Sequence, residues 1–328
     1  MMLDFQNINI KTILFGILFL CNPLQNEAKT NPTHNHDPFE FFCDLCGCST
    51  SGGSSSFGTL GNVSFVGVRY MYQNFESKNG IFSNSPTSKE YFNTYQLWGR
   101  LPITEVFSLN AIIPYQDLNR VFEASNERRN GLGDASIIGW YKMTFYKKQA
   151  EDTEDEEREA SGHQLNVGLG VKLPTGAFEE SLTNRINPGF QVGTGSVDAI
   201  FSLMHTYSKN QLGVNTTATY YLKTENKNEY QFGNQFSYAS NVYYNVPFKK
   251  SALSPFLGIS GDVYNSIKQY NERLADTDGN MVNGTFGSEF KIDKFIVGAN
   301  YTFPVSQHLF GDNVTSKNKF SLYLNYML

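Results

Sequence analysis

The chain reads as an all-β protein, an antiparallel transmembrane β-barrel of the outer-membrane type with about twelve strands. Three observations predict this. Segments of about ten residues alternate between apolar and polar side chains, the period of a strand with one apolar face. The connections between them alternate too, with odd ones mostly long and even ones mostly short, as a barrel with both termini on the periplasmic side requires. Finally, 15% of the residues are aromatic and only 17% charged, against about 25% charged in a typical soluble domain. The mean hydropathy is nevertheless negative, which excludes a helical membrane protein and fits a barrel with an apolar outside and a polar lumen. A net charge of −5 argues against a nucleic-acid partner.

Taken in order, the chain of 328 residues divides into three parts. Residues 1–28 read as an export signal. Lys11 precedes the apolar run Ile13 to Leu20, which is too short to span a bilayer, and Ala28 offers a small residue for cleavage. Residues 29–60 form a polar, turn-rich periplasmic arm that ends in a Ser/Gly linker. Residues 61–328 carry the strand pattern.

The expected strands lie near 62–74, 91–101, 105–115, 133–146, 163–174, 195–207, 211–223, 231–246, 253–265, 283–291, 295–303 and 318–328. The fifth is the clearest internal one. Leu165, Val167, Leu169, Val171 and Leu173 share one face, opposite Asn166, Gly168, Gly170 and Lys172. The last places Phe320, Leu322, Leu324, Tyr326 and Leu328 on one face, as expected of a strand that closes a barrel against the first. Long connections are expected at 75–90, 116–132, 175–194, 266–282 and 304–317, and short ones at 102–104, 208–210, 247–250 and 293–294. One connection departs from the alternation: the acidic stretch 147–162, read as a solvated loop.

Four short motifs then point further. Gly131-Leu132-Gly133-Asp134 precedes a strand, Leu173-Pro174-Thr175-Gly176 ends one, and Gly193-Thr194-Gly195-Ser196 precedes the next. Tyr301-Thr302-Phe303-Pro304-Val305, followed by Gln307, ends the penultimate strand. In this order they resemble the outer-membrane transporters grouped as the MetA-pathway phenol-degradation family. The resemblance implies an outer-membrane barrel that passes small molecules and leaves the solute open.

Two groups of residues could carry function. With the apolar faces toward lipid, Arg69, Arg100, Lys142, Lys172, Asp198, Lys223 and Asp262 point into the lumen. There they either set ion selectivity or pair with one another and plug a narrow barrel. Their basic excess favours anions. The second group is Cys43, Cys46 and Cys48 of the arm, with His34 and His36 nearby. Cys-x-x-Cys-x-Cys suits Cu(I) or Zn(II), and in an oxidising compartment a disulfide competes with the metal.

The expected function is therefore a channel for a small solute in outer-membrane lipid. The alternative is a metal-binding protein anchored by its barrel, and the arm leaves room for a periplasmic partner. No enzyme is expected: His163, His205 and His308 sit near strand ends or in loops with no Gly-x-Ser-x-Gly setting. Trp98, Trp140 and the many tyrosines are read as interfacial girdles. Asp276 to Asn280 reads as a turn, since it lacks the later Glu of a calcium loop.

Overall fold

The computed structural model describes residues 63–78, 87–123, 125–146, 162–178 and 190–328. Twelve long strands form one closed antiparallel barrel: β1 Phe65–Lys78, β2 Thr87–Pro102, β3 Phe107–Val121, β4 Ala135–Tyr146, β5 Gly162–Leu173, β6 Asp198–Lys209, β7 Leu212–Leu222, β8 Gln235–Tyr244, β9 Ser251–Tyr264, β10 Gly279–Ile292, β11 Phe295–Leu309 and β12 Val314–Met327. Each strand pairs with its neighbours in sequence, and β12 pairs with β1 from Phe65↔Met327 to Ser77↔Val314. Closure removes the free edges that would leave backbone N–H and C=O groups unpaired in lipid.

All twelve expected strands are present, and most are longer than their apolar pattern. β1 and β2 meet through Lys78↔Thr87, inside the stretch expected to be a loop. β3 runs on to Val121 and folds back as the short strand Asn126–Leu132, paired with it from Val121↔Asn126 to Tyr115↔Leu132. β11 and β12 leave only 310–313 between them, where Phe310, Gly311 and Asp312 adopt positive φ. The reason is physical. Beyond the hydrocarbon the outward residues turn polar (Glu76 and Lys78 on β1, Ser306 and His308 on β11), so the alternation fades while the hydrogen-bonded ladder continues.

The two faces of the wall are distinct. Val68, Leu97, Leu169, Leu257 and Ile259 face outward and are more than half exposed, forming an apolar belt. Leu169 is 62% and Val171 37% exposed, on the outward face expected for them. Aromatic pairs flank the belt: Phe295 and Tyr326 near the short turns, and Tyr70–Tyr95, Tyr72–Tyr91 and Phe286–Tyr301 toward the long connections. Among the described residues no helix is long and apolar enough to cross a membrane; this chain crosses with strands.

The inner face is more apolar than the sequence predicts. One cluster of buried side chains includes Phe65, Trp98, Ile112, Trp140, Tyr221, Ile296 and Tyr323. A second spans the outer mouth and joins Phe75, Phe92, Leu118, Tyr264, Leu309 and Phe310 to Phe190 and Val192 of the β5–β6 connection. A third packs Tyr230, Phe232 and Ile267 in the β7–β8 and β9–β10 connections, beside a small three-stranded sheet (Tyr230–Gln231, Lys268–Gln269, Glu272–Arg273).

Candidate functional site: the barrel interior

Arg69, Arg100, Lys172, Asp198, Lys223 and Asp262 have buried side chains at inward positions of their strands or just beyond a strand end. Lys142 shares the inward register, opposite Asn166, and is half-buried near the short-turn end. Glu90, Arg120, Asp134 and Glu289, which the sequence reading passes over, are buried as well. Glu90 and Arg120 fall in stretches expected to be loops, and Asp134 precedes its strand. Glu289 was legible by parity, two places from Gly287 and opposite the outward Phe290. Glu90, Asp134 and Glu289, set against Arg120, reduce the basic excess expected in the lumen.

Trp98 and Trp140 require a correction. Both are buried inside the barrel, at 3% and 0% exposure, instead of lying in an interfacial girdle. The guanidinium of Arg69 lies 4.3 Å from the Trp98 ring centre, and that of Arg100 lies 5.4 Å from the Trp140 ring. Such stacking suits a cation withdrawn from water. The signal was present in the spacing: Trp98 is two residues from Arg100, and Trp140 two from Lys142, so each shares its neighbour's face. Arg69 Nε donates to Gln96 Oε1 at 2.7 Å, Arg100 Nε to Asn110 Oδ1 at 3.0 Å, and the Tyr323 hydroxyl to Glu289 Oε1 at 2.6 Å.

The Gly-rich motifs converge on one buried charge cluster. The ladder places Lys172 opposite Ser136 on one side and opposite Asp198 on the other. Lys172 Nζ lies 2.7 Å from Asp198 Oδ2 and 3.1 Å from Asp134 Oδ2, with all three side chains no more than 3% exposed. The Asp134 carboxylate also accepts from the backbone N–H of Gly176 at 3.0 Å, and from the N–H and hydroxyl of Thr194 at 2.9 and 2.6 Å. Asp198 Oδ1 accepts from the Ser196 hydroxyl at 2.9 Å and the Thr224 N–H at 3.1 Å. Lys172 further donates to the hydroxyls of Thr194 and Ser196. Thr175 bridges Gly133 O and Ala135 N at 2.8 Å each.

Glycine is required where the two motif segments cross. A Cβ on Gly193 would stand 2.5 Å from the backbone of Gly176. Gly195 has φ +73°, a conformation that favours glycine. The motifs are thus a fastening: they tie the β5–β6 connection to the inner wall and deliver Phe190 to the outer mouth. There Arg120 stacks on Phe190 at 4.3 Å and pairs with Glu90 at 2.9 Å. Three charges buried and fully hydrogen-bonded hold geometry; nothing in the cluster presents a nucleophile to a substrate.

The remaining candidates are soon placed. His163 and His205 stack near the short-turn end with Nδ1 and Nε2 3.0 Å apart, and His163 lies against Tyr207. His308 pairs with Asp312 at 2.7 Å on the outer surface. Of the expected turn, Asp276 lies in one with positive φ, while Gly279 and Asn280 already belong to β10; the Thr277 hydroxyl between them donates to Leu274 O and accepts from Ile267 N. Cys43, Cys46, Cys48, His34 and His36 lie outside the described residues, as do the signal stretch and the acidic segment. Among the described residues no three His, Cys, Asp or Glu side chains are grouped to hold a metal.

A closed twelve-stranded wall with an apolar belt, aromatic borders and a buried polar interior defines an outer-membrane β-barrel. Residues 91–317 match the family described as "Putative MetA-pathway of phenol degradation", and the chain belongs to that family. Among solved structures it is similar to an outer-membrane channel from Pseudomonas putida F1, with a TM-score of 0.59 and 12% identity over 83% of this chain and 98% of that one. It is also similar to the β domain of the Bordetella autotransporter BrkA, with a TM-score of 0.46 and 8% identity over 81% and 100% of the two chains. The translocator domain of the autotransporter NalP from Neisseria meningitidis gives a TM-score of 0.41 and 10% identity over 86% and 93%. No curated protein matches the sequence.

Proposed function

We propose that this protein is an outer-membrane channel for the passive passage of a small solute, exported by the signal in residues 1–28. The observation that carries this reading is the polar interior: Arg69, Gln96, Gln116, Gln235 and Asp262 line the inside of a closed wall whose outside is apolar. A barrel serving only as an anchor has no need of charged groups withdrawn from both water and lipid, where each costs several kcal/mol unless paired, on the order of the buried-ion penalty. The likeness to a channel of the same fold supports the reading, and the chemistry of the interior favours a transporter over an enzyme. In it the inward charges outside the fastening cluster, such as Arg69, Arg100 and Asp262, act on whatever crosses the lumen.

The test is single-channel conductance of the purified, folded protein in a planar bilayer. Discrete steps that scale with salt are expected. A silent bilayer containing folded protein would overturn the channel reading.

A further inference from the structure

The barrel wall is not uniformly hydrogen-bonded. β11 and β12 pair from Phe295↔Tyr326 up to Thr302↔Lys319, and the ladder between them stops there. Above that point β11 continues, paired to β10 as far as Leu309↔Gly279, while β12 pairs to β1. Both strands are displaced from their other neighbours at this same height. Val305 bulges out of the β10–β11 ladder between Pro304 and Ser306. Lys317 and Asn318 bulge out of the β1–β12 ladder opposite Asn74, whose side chain accepts from Asn318 N at 2.9 Å. Pro304 has no N–H with which to continue the pairing.

A side chain stands in for the missing ladder. The Gln307 amide donates from Nε2 to Ser316 O at 3.0 Å and accepts at Oε1 from Ser316 N at 2.7 Å. It reproduces the two-way bond of a paired residue, but through a flexible side chain. Breaking it releases two hydrogen bonds and leaves the flanking ladders intact.

A small pocket sits at this seam, lined by residues from both faces of the wall. Its lining runs from Lys317, paired with Glu76 at 2.8 Å and 40% exposed, past Thr302, Lys319 and Asn283 to Gln73 and the fully buried Asp262. Seven of its nine lining residues have polar side chains, Met281 and Pro304 being the exceptions. The outer mouth, by contrast, is packed with the apolar cluster around Phe92, Phe190 and Phe310. The seam lies at the upper border of the belt: Phe303 and Val305 are exposed apolar side chains at its height, and Glu76, Ser306 and Thr315 stand directly above, beyond the ring of Tyr72 and Tyr301. Its upper end therefore meets headgroups and water.

We propose that this seam is a side port through which small hydrogen-bonding solutes pass the wall between β11 and β12, with the Gln307 amide as its latch. This rests on the channel reading and names its outer access and solute class. The amides and hydroxyls of Gln73, Asn283 and Thr302 would exchange hydrogen bonds with such a solute, while an apolar molecule would leave them unpaired.

The experiment places Lys317→Cys in a background with Cys43, Cys46 and Cys48 changed to Ser, and records conductance in a planar bilayer. A water-soluble, disulfide-forming thiol reagent is added on the side of the long connections, and mass spectrometry confirms its attachment. Loss of most of the current on modification, recovered on reduction, and no change in the same background with Lys317 retained, is the expected result. Current unchanged by confirmed modification overturns the port and leaves the channel standing. A silent background protein, correctly folded, overturns the channel reading itself. Gln307→Ala supplies a second readout: longer or more frequent openings are expected, and unaltered gating counts against the latch.

Discussion

Lys172 illustrates how one buried residue can be worth more to its neighbours than to itself. Its ammonium is shared by Asp134 and Asp198, and removing it strands two carboxylates in a site without water to receive them. Lys172→Met is expected to destabilise the barrel by about 3–5 kcal/mol, the range for breaking a buried ion pair from one side. The check is the urea midpoint of the heat-modifiable, folded form. Exchanging Asp134 to Asn and Asp198 to Asn in the same chain should recover part of that loss, since the orphaned charge is then gone. At the surface the sign is the same and the size smaller. Asp117 sits above the belt, and the hydrogen bonds from Arg128, at 2.7 and 2.8 Å, hold its carboxyl below the ordinary value. A lowered carboxylate contributes stability that is present above its unfolded pKa and is lost as the pH falls through the folded one. The hairpin of residues 126–132 is therefore expected to fray in strong acid, and in Arg128→Ala to be weaker at every pH and to lose that acid-dependent step. Amide hydrogen exchange across the acid range would read this out. The effect is modest because both groups are largely solvated.

At the scale of the element, the strand pattern makes a quantitative commitment. Leu169 lies at the middle of β5 with its side chain outward, so Leu169→Arg places a charge against hydrocarbon and should cost about 2–4 kcal/mol. Refolding into lipid vesicles measures it; a neutral result would place that face away from the bilayer. The crossing of the motif segments is as demanding. Gly193→Ala forces a methyl onto the Gly176 backbone, and is expected to release the β5–β6 connection from the inner wall while the strands persist. Limited proteolysis near residue 190, with an unchanged β-sheet circular dichroism spectrum, would register that separation. The elements themselves were legible in the sequence because lipid imposes a strict two-residue period on every strand that touches it. The outer strand ends were not. Above the bilayer both faces meet polar surroundings, so Arg120, Glu90 and Gln307 look like loop residues although they occupy strands.

For the whole molecule, conductance decides between a channel and an anchor, and the seam between β11 and β12 supplies the finer prediction of where solute crosses the wall. Composition, alternation and the rhythm of long and short connections were enough to determine a twelve-stranded barrel with β12 closed on β1, because bilayer thickness and the need to pair every backbone group leave few alternatives. The charged residues destined for the interior also followed from parity. Only the tertiary structure could decide what those residues do once inside. Whether Lys172 faces an aqueous pore or two carboxylates depends on the register of β4, β5 and β6 together. The stacking of Trp98 and Trp140, whose inward parity was legible, on Arg69 and Arg100 depends on the register of neighbouring strands. That Gln307 carries a strand's hydrogen bonds follows from two bulges on different strands coming to the same height. These outcomes are set by residues far apart in the chain, and no local pattern encodes them.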